Sequence, residues 1–235
     1  MRVILFGATG MVGQGVLREL LRAADVEQVL AVVRTSTGQS HPKLQERKRA
    51  NFSDFSTLKD ELSGYDACFY CLGVSSAGMS EKEYRRVTHD YALAAAEALL
   101  PHNPELTFVY VSGAGTDSSE SARVMWARVK GETENALLRH GFKGAFMFRP
   151  AYIHPMNGEH SKTVMYRTLY AMMGWVYPAA RRVLPGHVTT TEEIGLAMLH
   201  VVREGAAAPI LESADISWLA RQSLVASTQP RNTGA

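Results

Sequence analysis

Short apolar runs recur along the chain, and nearly all end in glycine, proline or a charged residue. Between them lie segments whose apolar positions return every three or four residues. RVILFG (2–7) is the first run, and MVGQGVLRELLRAA (11–24) follows with Val12, Val16, Leu20 and Ala23 at helical spacing. VEQVLAVVR (26–34) reads as a buried strand because it is valine-rich with almost no polar alternation. A turn-rich loop, STGQSHP, separates it from a weaker strand near Glu46–Phe52 and a short helix over Phe55–Leu62. SGYDACFYCLG (63–73) is the next buried strand. A helix is predicted over Glu81–Leu100, with Tyr84, Val87, Tyr91, Ala94, Ala95 and Ala98 on its inner face, and PHNPE ends it. LTFVYVSGAG is a strand, Ser121–His140 a helix, and FKGAFMFRP a strand stopped by Pro150. Strands alternating with helices predict an α/β fold with a doubly wound parallel sheet covered on both faces.

Past Pro150 the pattern changes. HPMNGEHSK is polar and loop-like, and residues 163–178 are rich in methionine and aromatics, suited to core, a lid or a homodimer surface. Thr190 and Glu193 form a capping-box pair ahead of an apolar helical face. Ile210–Glu212 reads as a short strand and Ala214–Ala220 as a last helix. The expected organisation is a core over 1–150, a small C-terminal substrate-side segment over 151–226 in the same domain, and a disordered tail over 227–235.

Composition narrows the function classes. The chain has 235 residues, 46% hydrophobic and 20% charged, with a net charge of +2. These values suit a globular protein and disfavour a dedicated nucleic-acid binder, since no basic block interleaved with aromatics occurs. No apolar run is long enough to cross a bilayer, and no targeting segment is visible, so a cytoplasmic location is expected. Cys68 and Cys71 have C-x-x-C spacing on an extended strand, where residues three apart point to opposite faces. Buried packing is the expected role, and no metal site is predicted.

The first candidate chemistry is GATGMVG. Gly7 permits a tight turn, Gly10 lets a pyrophosphate approach the backbone, and Gly13 lets the helix pack on the sheet. With Thr9, Met11 and Val12 they form a strand-to-helix loop whose free N–H groups face a phosphate, the setting of a Rossmann dinucleotide site. An NAD site usually carries an acid at the end of the second strand. Here the residue is Arg34, whose guanidinium suits a 2′-phosphate, so NADP(H) is the expected cofactor, with NAD(H) as the alternative. Asn51 and Phe52 after the third strand are expected beside the adenine. Leu72 and Gly73 after the fourth are expected beside the cofactor, because ligands sit at the carboxyl ends of such strands.

GATGMVG, CLG, VSGAG, WARVKGE and RPAYI, in this order, resemble the short-chain dehydrogenase/reductase superfamily, in its atypical branch with a G-x-x-G-x-x-G loop. CFYCLG, RRVTHDYALAAAEAL and VKGETE are similar to the Tat-interacting oxidoreductase-like proteins. The resemblance covers roughly residues 2–205. It implies that Ser112 orients a substrate carbonyl and that Lys130 binds the nicotinamide ribose. It also puts Pro150 and Tyr152 beside the cofactor. Two positions depart from the family pattern. Trp126 stands where the family has its proton-carrying tyrosine, and Thr88 where many members have asparagine.

Indole N–H is a donor that does not ionise near neutral pH, so Trp126 offers a hydrogen bond or a stacking wall but no proton route. Tyr152 and His154, on the same sheet edge, are other groups within range of a substrate, and a structural role is the simpler reading of each. Tyr84 and Tyr91 fit the helix core face, and His89 and Asp90 its surface. Semialdehyde dehydrogenases and acyl-phosphate reductases share the GATGxVG loop. They need a cysteine nucleophile beyond the cofactor domain, and Cys68 and Cys71 fall too early. Two readings follow: an NADP(H)-dependent reductase with an altered proton route, acting on a small molecule, or a cofactor-sensing regulator that turns nothing over.

Overall fold

The computed structural model describes residues 1–159, 182 and 185–228. The central sheet contains β1 (Arg2–Phe6), β2 (Gln28–Val33), β3 (Leu44–Lys48), β4 (Ala67–Tyr70), β5 (Thr107–Val111), β6 (Gly144–Arg149) and β9 (Ile210–Glu212). Their spatial order is β3-β2-β1-β4-β5-β6-β9, and every pairing is parallel. The order reverses between β1 and β4, which opens a crevice at their carboxyl ends. A separate two-stranded sheet pairs β7 (Tyr152–His154) with β8 (Val188–Thr190).

Both faces of the central strands are buried, and period-two alternation divides their apolar residues between two cores, while the edge strand β3 is largely exposed. Val3, Leu5, Val29, Ala31, Phe69 and Val109 face α1 (Met11–Arg22), α5 (Thr191–Glu204) and α6 (Ser213–Thr228). Ile4, Phe6, Leu30, Val32, Tyr70 and Phe108 face α3 (Tyr91–Leu99) and the segment 52–62. Cys68 belongs to the second core, while Cys71 packs against the first. Burial raises the thiol pKa of both. They are free, and they point away from one another as the spacing predicts.

Several boundaries differ from the sequence reading. The third strand starts two residues and ends four residues earlier than expected, at Leu44–Lys48, because its backbone pairs with β2 from Val29↔Leu44 to Val33↔Lys48. Phe52 is therefore off the strand. Its ring is buried with Phe6 and Phe55 and lies 6.0 Å from Tyr91. The helix expected over 81–100 contains a π turn at Arg86–Asp90 between α2 (Glu81–Arg85) and α3. The extra residue rotates the later inner face by one position. Ala95 is buried as expected, and Ala92, Ala96 and Leu99 are fully buried beside it, whereas Tyr91, Ala94 and Ala98 are partly exposed. The last helix runs through Thr228, further than its apolar spacing suggested, so Ser227 and Thr228 are helical. The methionine- and aromatic-rich segment 163–178, and the tail from 229 onward, lie outside the described residues.

Candidate functional site

The phosphate loop ends β1 and opens α1. Gly7 has φ +82°, and a Cβ there would stand 2.6 Å from the Cys71 carbonyl carbon and the Leu72 nitrogen. The loop and the end of β4 are thus back to back. A Cβ at Gly13 would fall 2.0 Å from the Gly7 carbonyl oxygen, so glycine alone lets α1 start this close to the turn. Gly10 is different. Its added Cβ would meet only the Gly7 oxygen, at the ordinary contact distance of 3.4 Å. No contact within the described chain demands glycine there, while a group approaching the backbone would. Gly10 is also the N-cap of α1 and provides no side-chain cap, and the first turn holds no acid. The N–H groups of Met11, Val12 and Gly13 therefore face outward at the positive end of the helix. Thr9 turns its carbonyl to the Gln14 amide, 3.1 Å away. These residues fit a pyrophosphate.

Around this loop, Arg34 is exposed just past β2 and, among the described residues, has no ion pair. Asn51 is exposed, with its Oδ1 accepting the Ser53 N–H at 2.9 Å. Because the Phe52 ring is committed to the core, only the backbone at this position is left to flank a ligand. Leu72 is half-buried and Gly73 is exposed with open space around it. Pro150 is buried, and its carbonyl accepts the Ala114 N–H at 3.0 Å, joining the ends of β5 and β6. Tyr152 lies in β7, half-buried, with its ring 6.5 Å from that of His154.

The second half of the site is carried by α4 (Met125–Leu138). The Asp117 carboxylate folds the loop before it, accepting from the N–H groups of Ser119, Ser121 and Ala122 and from the Ser119 hydroxyl. These bonds hold its pKa down to about 2. Gly131 lets α4 press on this loop, since a Cβ there would fall 1.8 Å from the Asp117 carbonyl oxygen. Trp126, Lys130 and Glu134 then stand one turn apart on one face. The Trp126 ring lies across Gly115, with Cη2 3.2 Å from where that residue's Cβ would be. Lys130 Nζ donates to the Ser112 carbonyl oxygen. Burial lowers the Lys130 pKa to about 8, against the opposing pull of Glu134.

Glu134 was not singled out by sequence reasoning, yet it is fully buried. Its carboxylate takes Arg149 Nε at 3.0 and 3.1 Å, with a further bond from Nη2. The Ser112 hydroxyl also donates to Glu134, with the Phe148 carbonyl 3.1 Å away as its other acceptor. Ser112 is 6% exposed, so its hydroxyl points into the protein. The only signal in the sequence was an acid one turn after the motif lysine and an arginine ending an apolar strand. Neither specifies the other. Thr88 is buried in the π turn, and its hydroxyl has no hydrogen-bond partner among the described residues. Tyr84 is core, and His89 Nδ1 lies 2.9 Å from Asp90 Oδ1 at the helix surface.

Comparison with known proteins agrees with this geometry. A family model described as NAD(P)H-binding matches residues 7–143. The chain belongs to this NAD(P)H-binding family. It is 27% identical over 226 residues to "Protein FMP52, mitochondrial" of Eremothecium gossypii, covering 94% of this chain and 98% of that one. It is 28% identical to the protein of the same name from Saccharomyces cerevisiae, covering 86% and 87%. Among solved structures, the Bordetella bronchiseptica enzyme WbmF in complex with NAD+ superposes with a TM-score of 0.66 at 16% identity, over 97% of this chain and 79% of that one. An oxidoreductase of the short-chain dehydrogenase/reductase family from Burkholderia thailandensis gives the same score and identity over 97% and 98%. The curated relatives are named as mitochondrial, which overturns the cytoplasmic expectation. No described helix is long and apolar enough to cross a membrane.

Proposed function

We propose that the protein is an NADP(H)-dependent reductase of small carbonyl or quinone compounds, in which Lys130 does the proton work of the missing tyrosine. The observation that carries the reading is the Lys130 amine, half-buried at the carboxyl edge of the sheet and lowered to about 8. A group with that pKa donates and recovers a proton near working pH. The nicotinamide, when bound, supplies the hydride. Gly7, Gly10, Gly13 and the α1 N-terminus would hold the pyrophosphate. Arg34, exposed and without an ion pair among the described residues, would hold a 2′-phosphate. Trp126 would act as an apolar wall that keeps water from the amine. By the names of its relatives, we place this activity in mitochondria.

A turnover screen with NADPH against aldehydes, ketones and quinones tests the reading. Turnover that Lys130→Ala abolishes supports it. A second reading, a sensor that binds cofactor without turnover, draws on the Ser112 hydroxyl being held by Glu134. A silent parent that gains activity as Trp126→Tyr would favour the sensor.

A further inference from the structure

The loop after β2 is built around one carboxylate. Ser36 Oγ donates to Glu46 Oε2 at 2.6 Å, and the Thr37 N–H and hydroxyl donate to Oε1 at 2.8 and 2.5 Å. The same hydroxyls accept in turn. The Gly38 N–H reaches Ser36 Oγ and the Gln39 N–H reaches Thr37 Oγ1, each at 3.2 Å. Gly38 completes the turn at φ +75°. Glu46 comes from β3, where it stands opposite Ala31, and the ladder continues past it to Val33↔Lys48 and an Arg49 N–H bond to the Val33 carbonyl at 2.8 Å. The carboxylate is thus fixed to the sheet while it grips a loop that would otherwise be a flexible, polar connection. Partial burial works against its charge, but the Ser36 and Thr37 bonds and nearby Lys48 outweigh that and keep its pKa below the ordinary value.

Arg34 stands at the root of this loop, two residues before Ser36. Its own side chain has no partner among the described residues that would orient it. Whatever order it has comes from the backbone on either side, which is β2 before it and the Glu46-bound turn after it. We propose that Glu46 is the positioning residue for cofactor choice, pinning the Arg34–Gly38 loop so that Arg34 faces the 2′-phosphate of NADP(H). The inference rests on the reading of Arg34 as the 2′-phosphate contact. The Glu46 charge is taken up by three loop donors, so its effect on a neighbouring anion is chiefly the order it imposes.

The test is equilibrium titration of NADPH, NADH, 2′,5′-ADP and 5′-AMP, followed by calorimetry, on folded variants checked by circular dichroism. Glu46→Gln is expected to weaken NADPH and 2′,5′-ADP about tenfold, the loss of roughly one charge-assisted bond, with NADH and 5′-AMP within about twofold. The double variant Ser36→Ala with Thr37→Val keeps only the Thr37 N–H bond to Glu46 and is expected to give most of the same loss, and Glu46→Gln added to it is expected to cost less than Glu46→Gln alone. It carries the test if Glu46→Gln fails to fold. Equal losses on phosphorylated and unphosphorylated ligands, or tighter NADPH binding, would overturn the proposal. Arg34→Ala separates the two layers. If it leaves the NADPH-to-NADH ratio unchanged, the phosphate reading fails and this proposal falls with it. If it shifts the ratio while Glu46→Gln does not, the positioning role alone fails.

Discussion

At the residue scale, a lysine pKa near 8 and a buried glutamate dominate the site. If Lys130 donates the proton, carbonyl reduction requires its ammonium form. The rate is then expected to fall about tenfold per pH unit above about 8, read as log kcat against pH. A flat profile to pH 10 would rule Lys130 out as the donor. The same shift has a stability consequence of opposite sense. The folded pKa lies below the ordinary 10.5, so the unfolded chain binds more proton between about 8 and 10.5. Stability from this group rises as pH climbs through that window, and urea midpoints of the parent should gain on those of Lys130→Met there. Glu134 acts on fold as well as on site. Glu134→Ala would leave Arg149, whose side chain is 11% exposed, with a distant second acid at 3.7 Å in Glu212. Breaking a buried pair from one side costs roughly 3 kcal/mol. A loss under about 1 kcal/mol in urea unfolding would contradict that burial argument.

At the element scale, α4 is placed by what it touches. Its apolar spacing predicted a helix but said nothing of how tightly it lies on the 117–122 loop. Gly131 decides that, because its missing Cβ is where the Asp117 carbonyl sits. Gly131→Ala would push the helix outward and carry Lys130 with it. The expected cost is about 2 kcal/mol in stability, with weaker cofactor binding, measured by thermal unfolding and NADPH titration. An unchanged melting temperature would mean that the loop moves instead. The helix over 81–99 teaches a related lesson. Tyr84 and Ala95 lie on the inner face as expected, but at Tyr91, Ala94 and Ala98 the π turn moved the buried positions by one residue. Periodicity assumes a constant turn, and a single added residue breaks the assumption without leaving a mark in composition.

At the scale of the whole molecule, the chain past Pro150 returns to the sheet. β9 pairs with β6, and α5 and α6 contribute Ile194, Met198, Ile216 and Leu219 to the core beside α1. Unfolding should therefore be one event across these elements. Trp218 on α6 and Trp126 on α4 report different regions, so single-tryptophan variants should give coincident urea midpoints. Separate midpoints would make the C-terminal part a unit of its own.

The local features were open to reading from the chain alone. Alternating apolar runs imply the parallel sheet, the glycine loop implies the dinucleotide turn, and Arg34, Trp126 and Lys130 are visible because each belongs to a short motif whose spacing carries its meaning. Tertiary structure decided what depends on distant pairing. Ser112 and Glu134 are 22 residues apart, Glu134 and Arg149 15, and Thr37 and Glu46 are brought together by the β2–β3 register. A carboxylate on a helix or strand reads as solvated surface until its partners are placed. Here burial and opposing donors, both products of the folded arrangement, turned Glu134 and Glu46 into the groups that hold Ser112 and the Arg34 loop.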